Sequence, residues 1–305
     1  MTSLTPEPLV RFEDVSVSYW LRQGIFKRKK HYALRNVSFE IYPGDSLGVI
    51  GRNGSGKSTL LRLLAGVMIP DEGRIIKRDD LRVSLLSLQL GFVNYLSGRE
   101  NVILSGTILG MPKREIAAKM DDIIAFSELG EFINQPIATY SAGMRARLGF
   151  AVSFQLHPDV LLVDEVLGVG DGEFRIKAVR EMKDRIKMED STVLFVSHSM
   201  GEVRELCNRA IWIDKGHLMQ SGDTSAVLHA YESTMVTHEI SEFRELIARG
   251  TPFFIRKQGL TRVHAIQNRK MFPVSPDELR SLGGRYEDIK VISEVVFDIV
   301  SEECE

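Results

Sequence analysis

The run Gly51-Arg52-Asn53-Gly54-Ser55-Gly56-Lys57-Ser58-Thr59 joins glycines to a lysine and the hydroxyls of Ser58 and Thr59. Glycines let successive backbone N–H groups turn inward and form a nest for an anion. A helix starting at such a loop adds the partial positive charge of its N-terminus. In this pattern Lys57 reaches the β- and γ-phosphates of a nucleotide, and the Ser58 hydroxyl is a ligand for Mg²⁺. The apolar run Leu47 to Ile50 precedes the loop and a leucine-rich helical pattern follows it. That strand–loop–helix context is the one in which a Walker A phosphate loop works.

A second constellation is Asp159-Val160-Leu161-Leu162-Val163-Asp164-Glu165, a buried-strand pattern ending in two carboxylates. Downstream of a phosphate loop, Asp164 fits the group that holds Mg²⁺. Glu165 sits where it can orient or deprotonate an attacking water.

These groups need a scaffold. Leu47–Ile50, Val160–Val163 and Val193–Val196 are short, nearly continuous apolar runs, as expected for parallel strands covered on both faces. Helical patterns separate them, which implies a doubly wound α/β core. Two earlier segments alternate instead: Val15, Val17 and Tyr19, then Val37, Phe39 and Ile41. They read as half-buried antiparallel strands. Between them Leu21 to His31 reads as a loop with a basic tip, Lys27-Arg28-Lys29-Lys30. Such a tip is either simply solvated or in contact with lipid phosphates or an anionic head group. Residues 97–150 form a helical insert, announced by the Ser97/Glu100 capping box. Pro112 suits a first helical position, and Ile116, Met120, Ile123 and Ile124 line one face. Past residue 235 the pattern weakens. Ile240, Phe243, Leu246 and Ile247 suit one helix ended by Gly250, and Ser275 to Glu278 opens another that Gly283 closes. Val291 to Val300 suits strand or helix. The expected organisation is therefore residues 1–235 as one domain and 236–305 as a small C-terminal α+β module.

Composition excludes several alternatives. The net charge of −2 offers no global basic field for nucleic acid. Cys207 and Cys304 are too few for a disulfide framework. The N-terminus has no secretory pattern, and no apolar run approaches the roughly 20 residues of a membrane helix. Work at a membrane is expected to go through a partner.

From about residue 9 to 235 the sequence resembles the ABC transporter ATPases. The distinguishing motif is Tyr140-Ser141-Ala142-Gly143-Met144-Arg145, a variant of the signature Leu-Ser-Gly-Gly-Gln that keeps Ser141 and Gly143 but has Ala142 and Met144. The resemblance implies a P-loop NTPase core with an antiparallel β subdomain and a helical insert, hydrolysing ATP with Mg²⁺. It implies that His198 is the switch histidine at the γ-phosphate, that Asp171 belongs to the D-loop, and that Gln89 is the Q-loop residue near the metal. The aromatic stacking on adenine is Tyr19, with Tyr32 as the alternative because the Leu21–His31 insertion blurs the alignment. Ser141, Ala142, Gly143 and Met144 would act on the ATP of a second copy, so a homodimer is implied, with integral-membrane permease subunits as partners. The signature, Asp164-Glu165-Val166-Leu167-Gly168-Val169-Gly170-Asp171, Gly98-Arg99-Glu100-Asn101 and the long basic first loop together look like the branch that exports O-antigen, capsule or teichoic acid. That implies a peripheral protein on the cytoplasmic face of the membrane, with the polysaccharide contacted mainly through the permease. Some members of that branch carry a C-terminal glycan-binding β-sandwich. The tail of this chain is shorter than the ~100 residues of a typical two-sheet sandwich.

Overall fold

The computed structural model of the chain describes residues 7–23, 27–86, 92–156, 158–164, 172–188, 191–250 and 252–304. Two compact units divide at Leu228/His229.

The first unit opens with β1 (Val10–Gln23) and β2 (Lys27–Ile41), followed by β3 (Ser46–Ile50) and α1 (Lys57–Leu64). Next come β4 (Glu72–Lys77), β5 (Val83–Leu86), α2 (Gly98–Ile108), α3 (Lys113–Ser127) and α4 (Ala142–Gln155). It continues through β6 (Val160–Val163), α5 (Gly172–Ile186), β7 (Thr192–Val196) and α6 (Met200–Leu206). β8 (Arg209–Asp214) and β9 (His217–Asp223) follow, and the long α7 (Thr224–Arg249) begins at the end of this unit and belongs mostly to the second.

Among the described residues these strands form two sheets. One is antiparallel in the order β2-β1-β4, and the other runs β5-β6-β7-β3-β8-β9. In the second, β5, β6, β7, β3 and β8 are all parallel, and β9 returns antiparallel beside β8. Every residue of β3, β6 and β7 is buried, as their unbroken apolar runs require. Val15 pairs with Val37 in the first sheet, as the alternation predicts. Both sheets and α1 feed one apolar core that includes Phe12, Leu34, Val49, Leu60 and Ile211.

The helical insert hangs on buried polar contacts as well as apolar ones. Ser97 and Glu100 form the expected capping box. Asn101 is fully buried. Its Nδ2 donates to the carbonyls of Ser97 (2.8 Å), Leu96 (3.1 Å) and Val93 (3.2 Å), and its Oδ1 accepts from Val93 N at 2.7 Å. Phe126 of α3 stacks on Phe150 and Phe154 of α4, with Phe174 of α5 edge-on to Phe126 and Phe150. Pro112 is the N-cap of α3 rather than its first residue. A cap position has extended φ/ψ, which a proline also adopts.

The segment read as a loop from Leu21 to His31 is instead mostly strand. β1 and β2 pair through Leu21↔Lys29 and on to Gln23↔Lys27. Charge alone did not reveal that the cross-strand ladder continues into the basic run. The helix expected near Ile240 also begins much earlier, at Thr224.

The second unit, His229–Glu305, holds β10 (Phe253–Lys257), β11 (Val263–Gln267), β12 (Lys270–Val274), α8 (Pro276–Ser281), β13 (Ile289–Ile292) and α9 (Glu294–Glu302). Its sheet runs β12-β11-β10-β13, with β10 and β13 parallel. Strand alternation sends Ile255 and Ile266 to one face, against Phe243, Ile247, Val296 and Val300. Phe254 and Ala265 meet Leu279 on the other. One sheet with helices on both faces replaces any sandwich. The ambiguous Val291–Val300 run holds both alternatives in turn, the end of β13 and then α9.

No helix among the described residues is long and apolar enough to cross a membrane. Both cysteines are buried and free. Burial pushes the Cys207 thiol up to about 12 and also raises that of Cys304. The thiolate is the reactive form. A thiol-reactive dye at mildly alkaline pH is therefore expected to label neither cysteine in the native protein and both after guanidinium unfolding. Rapid labelling of the native chain would contradict this packing.

Candidate active site

β3 delivers the chain directly into the phosphate loop. Gly51, Gly54 and Gly56 have φ values of 149°, 76° and 115°. A Cβ on Gly51 would lie 2.1 Å from the Ile213 carbonyl oxygen, and one on Gly56 2.4 Å from that of Ala33. The loop is thus wedged between β8 and β2. The Gly216 N–H donates to the Ser55 carbonyl at 2.9 Å, and the Arg35 N–H donates to the Gly216 carbonyl at 2.8 Å. The start of α1 has no side-chain cap and no acidic residue in its first turn. Its orphan N–H groups are therefore not taken up by a side chain. The Ser55 Oγ is buried and has no hydrogen-bond partner among the described residues.

Lys57 is only 7% exposed. Its Nζ donates to the carbonyls of Gly51 (2.7 Å) and Arg52 (3.0 Å). Burial pulls its pKa below the ordinary lysine value, and the Asp164 charge opposes that shift. Burial raises the Asp164 carboxyl, with Lys57, Arg62 and His198 opposing. His198 is held below the ordinary histidine value by burial and then by Lys57. Its imidazole is accordingly mostly neutral at physiological pH.

These groups share one cleft of about 270 Å³, whose lining includes Tyr19, Asn53, Lys57, Ser58, Asp164 and His198. Gly54, Gly56 and Thr59 also line it, whereas Gly51, Arg52 and Ser55 shape the loop behind it. His31 and Ala33 contribute too. Sequence motifs give no sign of them. They are placed by the β1–β2 register, in which His31 lies opposite Tyr19. Tyr32 points to the other face of β2, under Lys30 Nζ (4.7 Å from the ring centroid) and Arg35 Cζ (5.2 Å). Gln89, Glu165 and Asp171 lie outside the described residues.

Ser141 caps α4, its Oγ accepting from Met144 N at 3.1 Å. Ser141 and Ala142 are exposed, and none of residues 141–144 lines the cleft. Tyr140 is buried, with its hydroxyl donating to the Phe132 carbonyl at 2.6 Å.

The ABC transporter family profile matches residues 34–168. An O-antigen export system ATP-binding protein, RfbB of Klebsiella pneumoniae, is 39% identical over 246 residues, which is 75% of this chain and 99% of that protein. The chain belongs to the ABC transporter family. The teichoic acids export ATP-binding protein TagH of Bacillus cereus is 37% identical over 270 residues, 84% of this chain and 47% of that longer protein. In fold the cassette is similar to a dimeric post-hydrolysis structure of an ATP-binding cassette bound to ADP and Pi. The TM-score is 0.57 at 24% identity, over 70% of this chain and 98% of the other.

Within this cassette, two of the motifs that look like the polysaccharide branch touch each other. A Cβ on Gly98 would sit 2.3 Å from the Tyr140 Oη and 2.9 Å from Ile133 Cδ1. Glycine at 98 is what admits the Tyr140 hydroxyl to its bond with Phe132. Gly98→Ala is expected to lower unfolding stability by about 1–3 kcal/mol, the usual cost of overpacking. Tyr140→Phe should recover part of that loss, because it removes the atom in closest conflict. A denaturant-unfolding double-mutant cycle measures this coupling, and strictly additive effects would refute the contact.

Proposed function

We propose that this chain is the ATP-hydrolysing subunit that powers an ABC exporter of a lipid-linked cell-surface polysaccharide. One observation carries the reading. A cleft combining an uncapped helix start with Lys57, Ser58, Asp164 and His198 occurs in a chain similar to an O-antigen export ATP-binding protein along 99% of that protein. The sequence signature with Ala142 and Met144 supports the same branch.

In this reading the N–H groups from Gly51 to Thr59 and the Lys57 ammonium cradle the triphosphate, and Lys57 exchanges its loop carbonyls for phosphate oxygens. Tyr19, which lines the cleft where Tyr32 does not, stacks on adenine. Among the described residues no three His, Cys, Asp or Glu side chains gather to hold a metal ion. That suits Mg²⁺, which takes one or two protein ligands and completes its shell with phosphate and water. Ser58 and Asp164 would hold it, with Gln89 nearby, and when bound it neutralises charge developing on the transferred phosphoryl group. Glu165 orients or deprotonates the attacking water. His198, mostly neutral, can bond to the γ-phosphate. Little covalent chemistry is asked of the protein; catalysis rests on positioning and preorganised charge.

The signature residues need a second copy, because they lie off their own chain's cleft. Among the described residues, and apart from its chain neighbours and its own helix backbone, a Cβ built on Gly143 would meet only the Ser141 Oγ within 4 Å, at 3.8 Å. A helix-start glycine costs up to ~1 kcal/mol against alanine and is not demanded by packing here. Close approach of a partner's phosphate would demand it. Asp171, in the D-loop, would also cross to that copy. ATP then stabilises the closed dimer and hydrolysis removes the bias. The insert would pass closure to a membrane permease seated on an apolar groove of about 280 Å³, lined by Val67, Leu85, Phe92, Ile108 and Val152 among others. The cassette would thereby sit on the cytoplasmic face of the membrane, and the permease would make the main contacts with the polysaccharide.

Glu165→Gln is expected to bind ATP, to dimerise by light scattering, and to hydrolyse roughly 10²–10⁴-fold more slowly. Turnover at the parent rate would overturn the assignment of the base. Removing the chain from its host should leave lipid-linked polysaccharide accumulating inside the cell. Unchanged surface polysaccharide would overturn the cargo.

A further inference from the structure

The β1–β2 ribbon runs beyond the sheet that anchors it. β4 accompanies β1 as far as Ser16↔Glu72, whereas β1 and β2 continue pairing from Ser18↔Tyr32 to Gln23↔Lys27. In this outer part Trp20, Leu21, Arg22, Lys29, Lys30 and His31 are all exposed. Alternation puts Trp20 and its partner Lys30 on one face, Leu21 and its partner Lys29 on the other. Trp20 is 66% and Leu21 49% exposed, so apolar surface projects from both faces. A two-stranded ribbon standing alone in water is marginally stable, and exposed large apolar groups on it point to something that covers them.

Charge says what that is. From Val15 to Phe39 the sequence has no acidic residue but carries Arg22, Lys27, Arg28, Lys29, Lys30 and Arg35, in a chain whose net charge is −2. The neighbouring strand offsets part of this, since Glu72 lies 3.8 Å from Lys30. We propose that the outer ribbon docks on an anionic lipid surface, with Trp20 and Leu21 entering the headgroup layer and Lys29 and Lys30 meeting lipid phosphates. Tryptophan is suited to the membrane–water interface by its amphipathic ring, and lysine stems lie along apolar surface while the ammonium stays among headgroups. A lipid layer can cover both faces of an immersed ribbon. A protein groove that pairs with its edge or one face cannot.

The ribbon's root lies beside the groove. Tyr19 Oη is 3.9 Å from Met68 Sδ, and the adjoining Val67 lines the groove assigned to the permease. A permease seated there would hold the ribbon close to the bilayer. That step rests on the exporter reading; the ribbon's own chemistry does not.

The test is flotation of the full-length protein with vesicles of phosphatidylglycerol and phosphatidylcholine, against phosphatidylcholine alone. Binding is expected to the anionic vesicles and to fall with salt. The double substitution Lys29→Glu and Lys30→Glu should weaken it by about tenfold or more. Trp20→Ala should weaken it too, with ATPase activity in solution unchanged. Tryptophan emission should shift to the blue on binding and lose that shift in Trp20→Phe, since Trp212 is already buried. Equal flotation with both vesicle types, or variants that bind like the parent, would overturn the proposal. So would variants that lose co-purification with a membrane protein while vesicle binding persists, which would make the ribbon a protein contact. Absence of ATPase activity in the parent would sink the exporter reading alone and leave the vesicle result standing.

Discussion

The phosphate loop is held by backbone meeting backbone. Gly51 passes the Ile213 carbonyl and Gly56 passes the Ala33 carbonyl at distances no side chain would permit. The first contact belongs to the mostly parallel sheet, the second to the antiparallel one. Gly216, in the turn between β8 and β9, bonds to Ser55 on one side and Arg35 on the other. The loop is therefore the joint between two sheets as well as the anion nest. A displacement large enough to admit a Cβ would shift β2 against β8. It would also move Tyr19, which is tied to β2 through the ladder. Sheet packing and site geometry are thus set by the same few atoms.

The helical insert follows a similar economy. Asn101 gives a second hydrogen bond to three carbonyls that each already accept a backbone N–H, and it accepts from the Val93 N–H, so its side chain ties an irregular turn to the start of α2. Gly98, three residues earlier in the same motif, makes room for Tyr140, whose carbonyl in turn accepts from Arg145 at 3.0 Å. These contacts fix the start of α4 and hence the orientation of Ser141 and Gly143. Two sequence motifs that looked separate are one packed unit. Under the proposed mechanism that unit aims the signature at a second copy.

The core was legible in the sequence because its signals are local and strong. Leu47–Ile50, Val160–Val163 and Val193–Val196 are apolar throughout, and only a strand covered on both faces tolerates that. The capping boxes at Ser97 and Ser275 are likewise local bargains between a side chain and nearby N–H groups. What was missed depends on pairing. Lys27 to Lys30 looks like a loop because lysine has low strand propensity, and only the ladder with Arg22 to Gln23 and beyond overrides it. His31 and Ala33 enter the cleft through register, which no single segment encodes. In α7 the helical pattern before Ile240 is blurred by polar residues such as Thr234 and Thr237. Their hydroxyls donate to the carbonyls four residues back and so are absorbed within the helix.

The electrostatics of the cleft bear on why such a site persists. Lys57 is held below the ordinary lysine value and Asp164 above the ordinary carboxylate value, whereas in an unfolded chain both groups take their ordinary values and are charged at neutral pH. Burial lowers the pKa of Lys57, so folding disfavours its charged form at any pH below the ordinary lysine value. Burial raises that of Asp164, so folding disfavours its charged form at any pH above the ordinary carboxylate value. At neutral pH both costs fall on the fold together, each only partly offset by the charge of the other. A site with no ligand to meet would be more stable with apolar side chains of similar size. Under the proposed function the opposed costs have one common relief. Phosphate oxygens would satisfy the buried Lys57 ammonium and a bound Mg²⁺ the half-buried Asp164 carboxylate, so one binding event would answer both and its free energy would be coupled to cassette closure.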